Sequence, residues 1–502
     1  VVVGKANPVF NANRTGAQEV VTLEMMEKLP TTSRSLDEFV KLTPMSSGKN
    51  FAGTSYRFNN VTVDGASFNN SFGLSSALGA QGTEPISLES IEQVQVMIAP
   101  YDVRNGGFTG GGINSVTKSG TNEWHASAYM YTKSPELQGH RVRDYVGQVS
   151  EFSNRQYGVS LSGPIVKNKL FFFANFERSY KSYPNEYGLG TPDSKVDADK
   201  ATSILNAIKD LAQRQGINYN GQYDSSDSDT WSNKAGFKID WNINDFNKFM
   251  VRWSYVNAST LNGRGGISTL NTIDHLYRFK SNTNTVTAEL QSRLSPVLSN
   301  EARLSYVGVR DKRTSGAAFP SITIKNVGNG TVNIGNEYSS MANGLDQDVW
   351  TLEDNLTWYK GNHTLTFGTH NELYSFDNLF IQNLYGSYNF LSADDFFTYY
   401  NGVLDGTGMY TDSKGHLNPI GTLINTYNDV TGEGKKPFTM GGGTYARHFP
   451  YAVSFGPEHT DIEIPSFAGP MHGANEGTPF EKLVEALKIY ILALLRLQEI
   501  EL

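Results

Sequence analysis

Between Trp124 and about Phe390 the chain repeats one device: side chains that alternate apolar and polar with a period of two, in paired runs joined by a few turn residues. Two is the side-chain period of a strand, and paired runs across tight turns make antiparallel hairpins. In GFKIDWNINDFNKFMVRWSY, Phe237, Ile239, Trp241 and Ile243 alternate with Lys238, Asp240 and Asn242. Beyond a turn at Asn244 and Asp245, Phe249, Val251, Trp253 and Tyr255 do the same. QYGVSLSGPIVKNKLFFFANFER turns at Lys167, Asn168 and Lys169, AELQSRLSPVLSNEARLSYVGV repeats the pattern, and NLTWYKGNHTLTFGT turns between Lys360 and Asn362. Long polar loops, 180–230 and 310–348, alternate with these short turns. Such asymmetry fits an outer-membrane barrel, although a soluble sandwich or propeller alternates in the same way.

The composition leans toward strands whose two faces meet different surroundings: 26 Tyr, 28 Phe and 49 Gly accompany a hydrophobic fraction of only 38%. The formal charge of -8 argues against a nucleic-acid surface, which requires clustered Lys and Arg. With no cysteine there is neither a disulfide framework nor a thiolate-bound metal. No run of about 18 apolar residues makes a membrane-spanning helix. The opening VVVGKANPVF has no initiator Met, basic n-region or apolar core, so a mature or truncated amino terminus is expected.

Residues 1–120 read as a small α+β unit. SRSLDEFVKLTP sets Leu36, Phe39, Val40 and Leu42 at helical spacing, with Ser35 as cap and Pro44 as stop. NNVTVDGASF and IEQVQVMIAPYDV read as strands, the second alternating at Ile91, Val94 and Val96 with one slip. Gly106, Gly107, Gly110, Gly111 and Gly112 then form a glycine-rich loop. It lacks the GK[ST] and the following helix of a phosphate-binding loop.

The stretch IEQVQVMIAPYDVRNGGFTGGGINSVTKSGTNEWHASAYMY resembles the plug-to-barrel junction of TonB-dependent outer-membrane transporters, particularly the Oar-like group of Bacteroidetes. LPTTSRSLDEFVKLTP, NNVTVDGA and YGVSLSGPIVKNKLFFFANFERSY resemble the same family in the same order. The resemblance implies a plug over 1–120 and a barrel over 121–405, set in outer-membrane lipid. It also implies substrate uptake through long outer loops, with plug rearrangement driven by the TonB-ExbB-ExbD complex. Such barrels have 22 strands, whereas 124–400 supplies about ten at usual strand and loop lengths, so the expected barrel is incomplete and not transport-competent.

Near residue 406 the period changes from 2 to 3.6. Asn418 and Pro419 open a helix with Ile420, Leu423, Ile424 and Tyr427 on one face and Gly432 past its end. Thr478, Pro479 and Glu481 form a capping box for a second helix. Its apolar stripe of Phe480, Leu483, Val484, Leu487, Ile491, Leu494 and Leu495 predicts a buried amphipathic helix.

MGGGTYARHFPYAVSFGPE, MHGANEG and this helix together resemble the carboxy-terminal end of M20-family metallodipeptidases over 406–502. The resemblance implies substrate contacts at Gly441, Gly442, Gly443 and Thr444, and a zinc or manganese ligand at His472. A two-metal hydrolase needs further ligands and a general-base carboxylate. The chain contains no Glu-Glu pair, and its one H-x-D, His459 to Asp461, lies inside the tail. No catalytic residue, resident cofactor or nucleic-acid partner is therefore expected. The expected fold is mainly β: an α+β plug, an incomplete antiparallel transmembrane-type barrel and an α/β carboxy-terminal fragment of cytoplasmic parentage. The function expected is that of a chimeric fragment of a transporter. An M20 dipeptidase, and an outer-membrane module that binds peptide or glycan without transporting it, stand as alternatives.

Overall fold

The computed structural model describes residues 18–28, most of 43–69, 83–404 apart from isolated positions, 419–435 and 479–499. The helix expected over 35–42 lies almost wholly outside the described residues.

The amino-terminal unit is built on a five-stranded sheet, ordered β1-β6-β7-β4-β5. Its strands are β1 (Gln18–Thr22), β4 (Asn60–Val63), β5 (Ala66–Ser67), β6 (Ile91–Met97) and β7 (Gly112–Thr117), with a small hairpin of β2 (Ser46–Ser47) and β3 (Asn50–Phe51) and helix α1 (Leu23–Lys28) beside it. All pairs in the sheet are antiparallel except β4 with β7. The slip in the alternation of β6 is a bulge between Ile91 and Gln93, which returns Ile91, Val94 and Val96 to one buried face. Asp64 and Gly65 join β4 to β5, both with positive φ, as a two-residue turn between twisted strands requires.

The alternating segment folds into one nine-stranded sheet in the order β21-β20-β17-β16-β14-β13-β12-β11-β8. Its strands are β8 (His125–Lys133), β11 (Ser153–Val166), β12 (Leu170–Tyr183), β13 (Ser228–Asn242), β14 (Asn247–Asn262), β16 (Tyr277–Ser295), β17 (Leu298–Ser315), β20 (Ala342–Lys360) and β21 (His363–Ile381); a hairpin of β9 (Arg141–Val142) and β10 (Tyr145–Val146) projects from it. Every neighbouring pair is antiparallel, and the turns fall where the alternation breaks. The edges β8 and β21 do not meet, so this wall is an open part of a barrel, as the strand arithmetic predicts.

Burial across the wall is inverted relative to a soluble protein. Phe237, Trp241 and Trp253 are each 40% exposed, while Lys234, Lys238 and Arg252 are 4%, 6% and 3% exposed. A soluble sandwich hides its apolar face. On its central strands this sheet hides its polar face against the amino-terminal unit and turns its apolar face outward, which is the arrangement of a lipid-facing barrel.

Two expectations change. The segments read as long polar loops fold into a cap with its own core. Helix α2 (Ala198–Arg214) and helix α3 (Ala393–Leu404) pack with a sheet of β15 (Thr269–Asn271), β19 (Gly330–Ile334), β18 (Ser321–Val327) and β22 (Ser387–Phe390). Ile204, Ile208, Ile324, Ile334 and Phe396 are buried there together. Asp197 caps α2 by accepting from the Lys200 amide, and Ser392 accepts from the Asp395 amide at the start of α3. Helical structure thus begins at Ala393, earlier than the change of period near 406.

The tail forms helices α4 (Pro419–Thr431) and α5 (Phe480–Leu497), with Gly432 at positive φ just past α4 as expected. The second change concerns α5. Pro479 is its N-cap, without a side-chain capping bond. Its predicted buried stripe is exposed, from 51% at Ile491 to 73% at Phe480, whereas Ile489 and Ala493 are buried. Among the described residues α5 packs on α4, which covers one narrow face and leaves the stripe open.

Candidate functional site: the plug against the wall

The sequence elements that carry chemistry converge where the amino-terminal unit, which by its resemblance is the expected plug, seats on the polar face of the wall. The Asp64–Gly65 turn reaches between two arginines. Arg252 Nε lies 3.1 Å from Asp64 Oδ2, both side chains being almost fully buried, and Arg252 also donates to the Val63 carbonyl at 3.1 Å. The same carboxylate accepts from the Thr117 amide and hydroxyl, at 2.9 and 2.5 Å, which ties β4 to β7. Beside it Gly65 lies so close to the Arg303 guanidinium that a Cβ has no room. Arg303 is itself held by Glu289, Glu301 and Glu353 of the wall, at 2.8, 2.7 and 3.1 Å.

A second anchor lies nearer the cap. Glu177 of β12 accepts from Lys234 of β13 at 2.8 Å, from Ser87 of the plug at 2.8 Å and from Tyr129 of β8 at 2.7 Å. Lys238 donates to the Thr117 carbonyl at 3.2 Å. Buried charges persist only when paired and hydrogen-bonded; here the pairing spans two units of the chain, so the unit seated in the sheet is specified by charge.

Below the turn, an open cleft of about 1170 Å³ separates the plug loop 102–108 from the wall, with Arg57, Asn60 and Arg104 on one side and Glu353, His370 and Glu372 on the other. Arg104 donates to Asp102 within the loop, and this bond holds the Asp102 carboxyl below its ordinary range. Three amides of the glycine-rich loop are spent inside the unit. The Thr109 and Gly110 amides donate to the Phe58 carbonyl and the Gly111 amide to Asn59 Oδ1, so these donors are already used. The loop leads into strand β7, without a helix.

Gly441, Gly442, Gly443, Thr444 and His472 lie outside the described residues. Among the described residues no three His, Asp or Glu side chains are grouped to hold a metal ion. Of the other histidines, His370 pairs with Glu372 at 3.2 Å on the wall and His275 is buried in the cap. The plug anchors were missed in the sequence, although Asp64-Gly65 is a strong hairpin-turn signal and Lys234, Lys238 and Arg252 fall on the polar side of the alternation.

Residues 116–196 and 184–408 match the family model described as an outer membrane beta barrel domain. The chain belongs to that family of outer-membrane β-barrels. It is 33% identical over 162 residues to the TonB-dependent transporter Oar of Myxococcus xanthus, a match covering 30% of this chain and 15% of the transporter. It shares the fold of the outer membrane transporter YddB from Escherichia coli, with TM-score 0.51 and 14% identity over 73% of this chain and 49% of that one. The likeness to YddB is one of fold, and the chain spans half or less of the length of either relative. A shorter likeness, 39% identical over 75 residues, is to a putative dipeptidase of Staphylococcus epidermidis and covers 15% of each chain.

Proposed function

We propose that this chain is a fragment of a TonB-dependent receptor for substrate uptake across the outer membrane, carrying the plug and part of the barrel. The observation that carries the reading is the inverted wall: aromatic side chains face outward while Lys234, Lys238 and Arg252 are buried against a plug of the same chain. In the intact parent, outer loops capture the cargo. The TonB-ExbB-ExbD complex then displaces the plug from its charged seat. Among the described residues nine strands make an open wall that encloses no lumen, so uptake belongs to the intact parent with its full barrel.

The dipeptidase likeness supports a chimeric reading, in which residues 406–502 derive from the end of a cytoplasmic M20-type enzyme. Gly441, Gly442, Gly443, Thr444 and His472 are then vestiges of its substrate and metal sites, without the remaining ligands for zinc or manganese. Sequencing the source locus in single long reads across the codons for 395–420 tests this. A continuous frame supports a true fusion, and reads that part at the junction assign the two segments to separate proteins. Cell fractionation tests the receptor reading: the chain is expected with outer-membrane lipid, and recovery in the soluble fraction as a folded protein contradicts it.

A further inference from the structure

The outward face of the wall is layered in rows, because directly opposed residues of neighbouring strands share a face. One row runs Phe237, Trp253, Val286, Tyr306 and Trp350 from β13 to β20, each residue opposite the next, and every member is aromatic or aliphatic. Closer to the cap the same strands present Asn233, Asn257, Asn282, Arg310 and Asp346, again each opposite the next. The outward face therefore turns from apolar to polar at its cap end, as a membrane-spanning face does where the hydrocarbon stops.

The row beyond is cationic. Trp231 lies opposite Ser259, Ser259 opposite Lys280, and Lys280 opposite Lys312. Both lysines are exposed. Alternation places them on the outward face with Val286 and Leu304, since the intervening Ser281, Thr283, Val307 and Val309 are buried on the inner one. Like charges directly opposite each other on a sheet repel.

The cations around this pair are already matched. Arg278 pairs with Asp229 at 2.6 Å and Arg310 with Asp348 at 2.8 Å. Asp346, diagonal to Lys312, lies 3.6 Å from Arg310. Among the described residues neither Lys280 nor Lys312 has a carboxylate within ion-pair distance. Gly344 faces Lys312 from β20 and puts no side chain beside it, so the pair is open to a ligand.

An anion set between the two ammonium groups replaces their repulsion with two attractions. The apolar rows next to them select what carries that anion, because an amphiphile lays its tails on Val286 and Tyr306 and its charged head at the polar end of the same strands. Tyr and Trp gather where lipid meets water, and Trp231 stands in the row of the lysines. We propose that Lys280 and Lys312 form a docking site for the phosphate-bearing headgroup of a lipid in the leaflet nearer the cap, with Arg310 and Asn282 at its border.

The inference rests on the wall facing lipid, and its test separates the two. The full chain in neutral detergent micelles is titrated with phosphatidic acid, and in parallel with phosphatidylcholine, which has the same tails and no net charge; bound lipid is counted by native mass spectrometry. Phosphatidic acid is expected to stay bound where phosphatidylcholine is lost. Lys280→Gln with Lys312→Gln is expected to weaken its binding about tenfold or more, and Lys280→Arg with Lys312→Arg, which keeps both charges, is expected to retain it. Lys167→Gln with Lys169→Gln removes the same charge from a turn at the opposite end of the wall and is expected to leave binding unchanged.

Equal loss in the two glutamine pairs reports a general attraction to cations and overturns the proposal. Inorganic phosphate that displaces the lipid at matching concentration also overturns it, because the ligand is then a free anion. A chain that enters micelles but holds phosphatidic acid no better than phosphatidylcholine overturns the site and leaves the lipid-facing wall standing. A chain that does not enter micelles overturns both.

Discussion

Arg252 of the wall and Asp64 of the plug form an ion pair at 3.1 Å, with side chains only 3% and 5% exposed. Taking away one partner leaves the other charge buried and uncompensated, at a cost of about 3–5 kcal/mol. Asp64→Ala is expected to loosen the plug by that order, seen as faster proteolysis of residues 60–117 while the wall stays protected. The double change Asp64→Asn with Arg252→Met removes both charges while keeping a residue that tolerates positive φ and still accepts from Thr117, and is expected to recover much of the protection.

The cap stands on its own core, and Phe396, 1% exposed, sits within it against Phe390 and Tyr400. Phe396→Ala is expected to cost the cap about 3–5 kcal/mol through lost burial and the cavity left behind. Hydrogen exchange in α2, β18 and β19 should then rise while β12 to β14 keep their protection. Uniform loss across both would show that cap and wall unfold as one.

His275 gives the cap a pH dependence. Burial lowers its pKa from 6.5, against the opposing influence of Glu337, the Gly335 carbonyl and Asp274. The folded imidazole therefore stays neutral where the unfolded one takes a proton. Stability from this group is complete above about pH 6.5 and falls as pH drops below it toward the folded pKa. Cap exchange measured at about pH 7.5 and about pH 5.5 should show the loss, and His275→Gln should flatten this part of the slope.

Much of this was legible in the sequence because it is local. Alternation at Phe237, Ile239 and Trp241 fixes strand and face together, and the slip at Ile91 to Val94 locates a bulge. The cap was not legible, because its sheet joins segments at 269–271, 321–327, 330–334 and 387–390 that pair only through long-range contacts. Helix α2 did carry a readable signal, Asp197 as cap with Ala201, Ile204, Leu205, Ile208 and Ala212 on one face, but nothing local pairs it with that sheet. Lys234 and Arg252 could be assigned to the polar face, but their partners Glu177 and Asp64 are distant in sequence. The exposed stripe of α5 shows the converse: periodicity marks a face that seeks cover, and nothing in it states whether the covering layer is present.

The central claim is that the wall is lipid-facing with its polar side on the plug, and the absence of cysteine from this chain allows it to be tested one site at a time. Single cysteines at Phe237 and Trp253 on the outer face, and at Ser232 and Ser254 on the inner face, are exposed to a maleimide confined to the lipid phase of reconstituted vesicles. The account predicts labelling at Phe237→Cys and Trp253→Cys and protection at Ser232→Cys and Ser254→Cys. Equal labelling of both faces, or labelling of the outer positions only by a water-soluble maleimide, contradicts it.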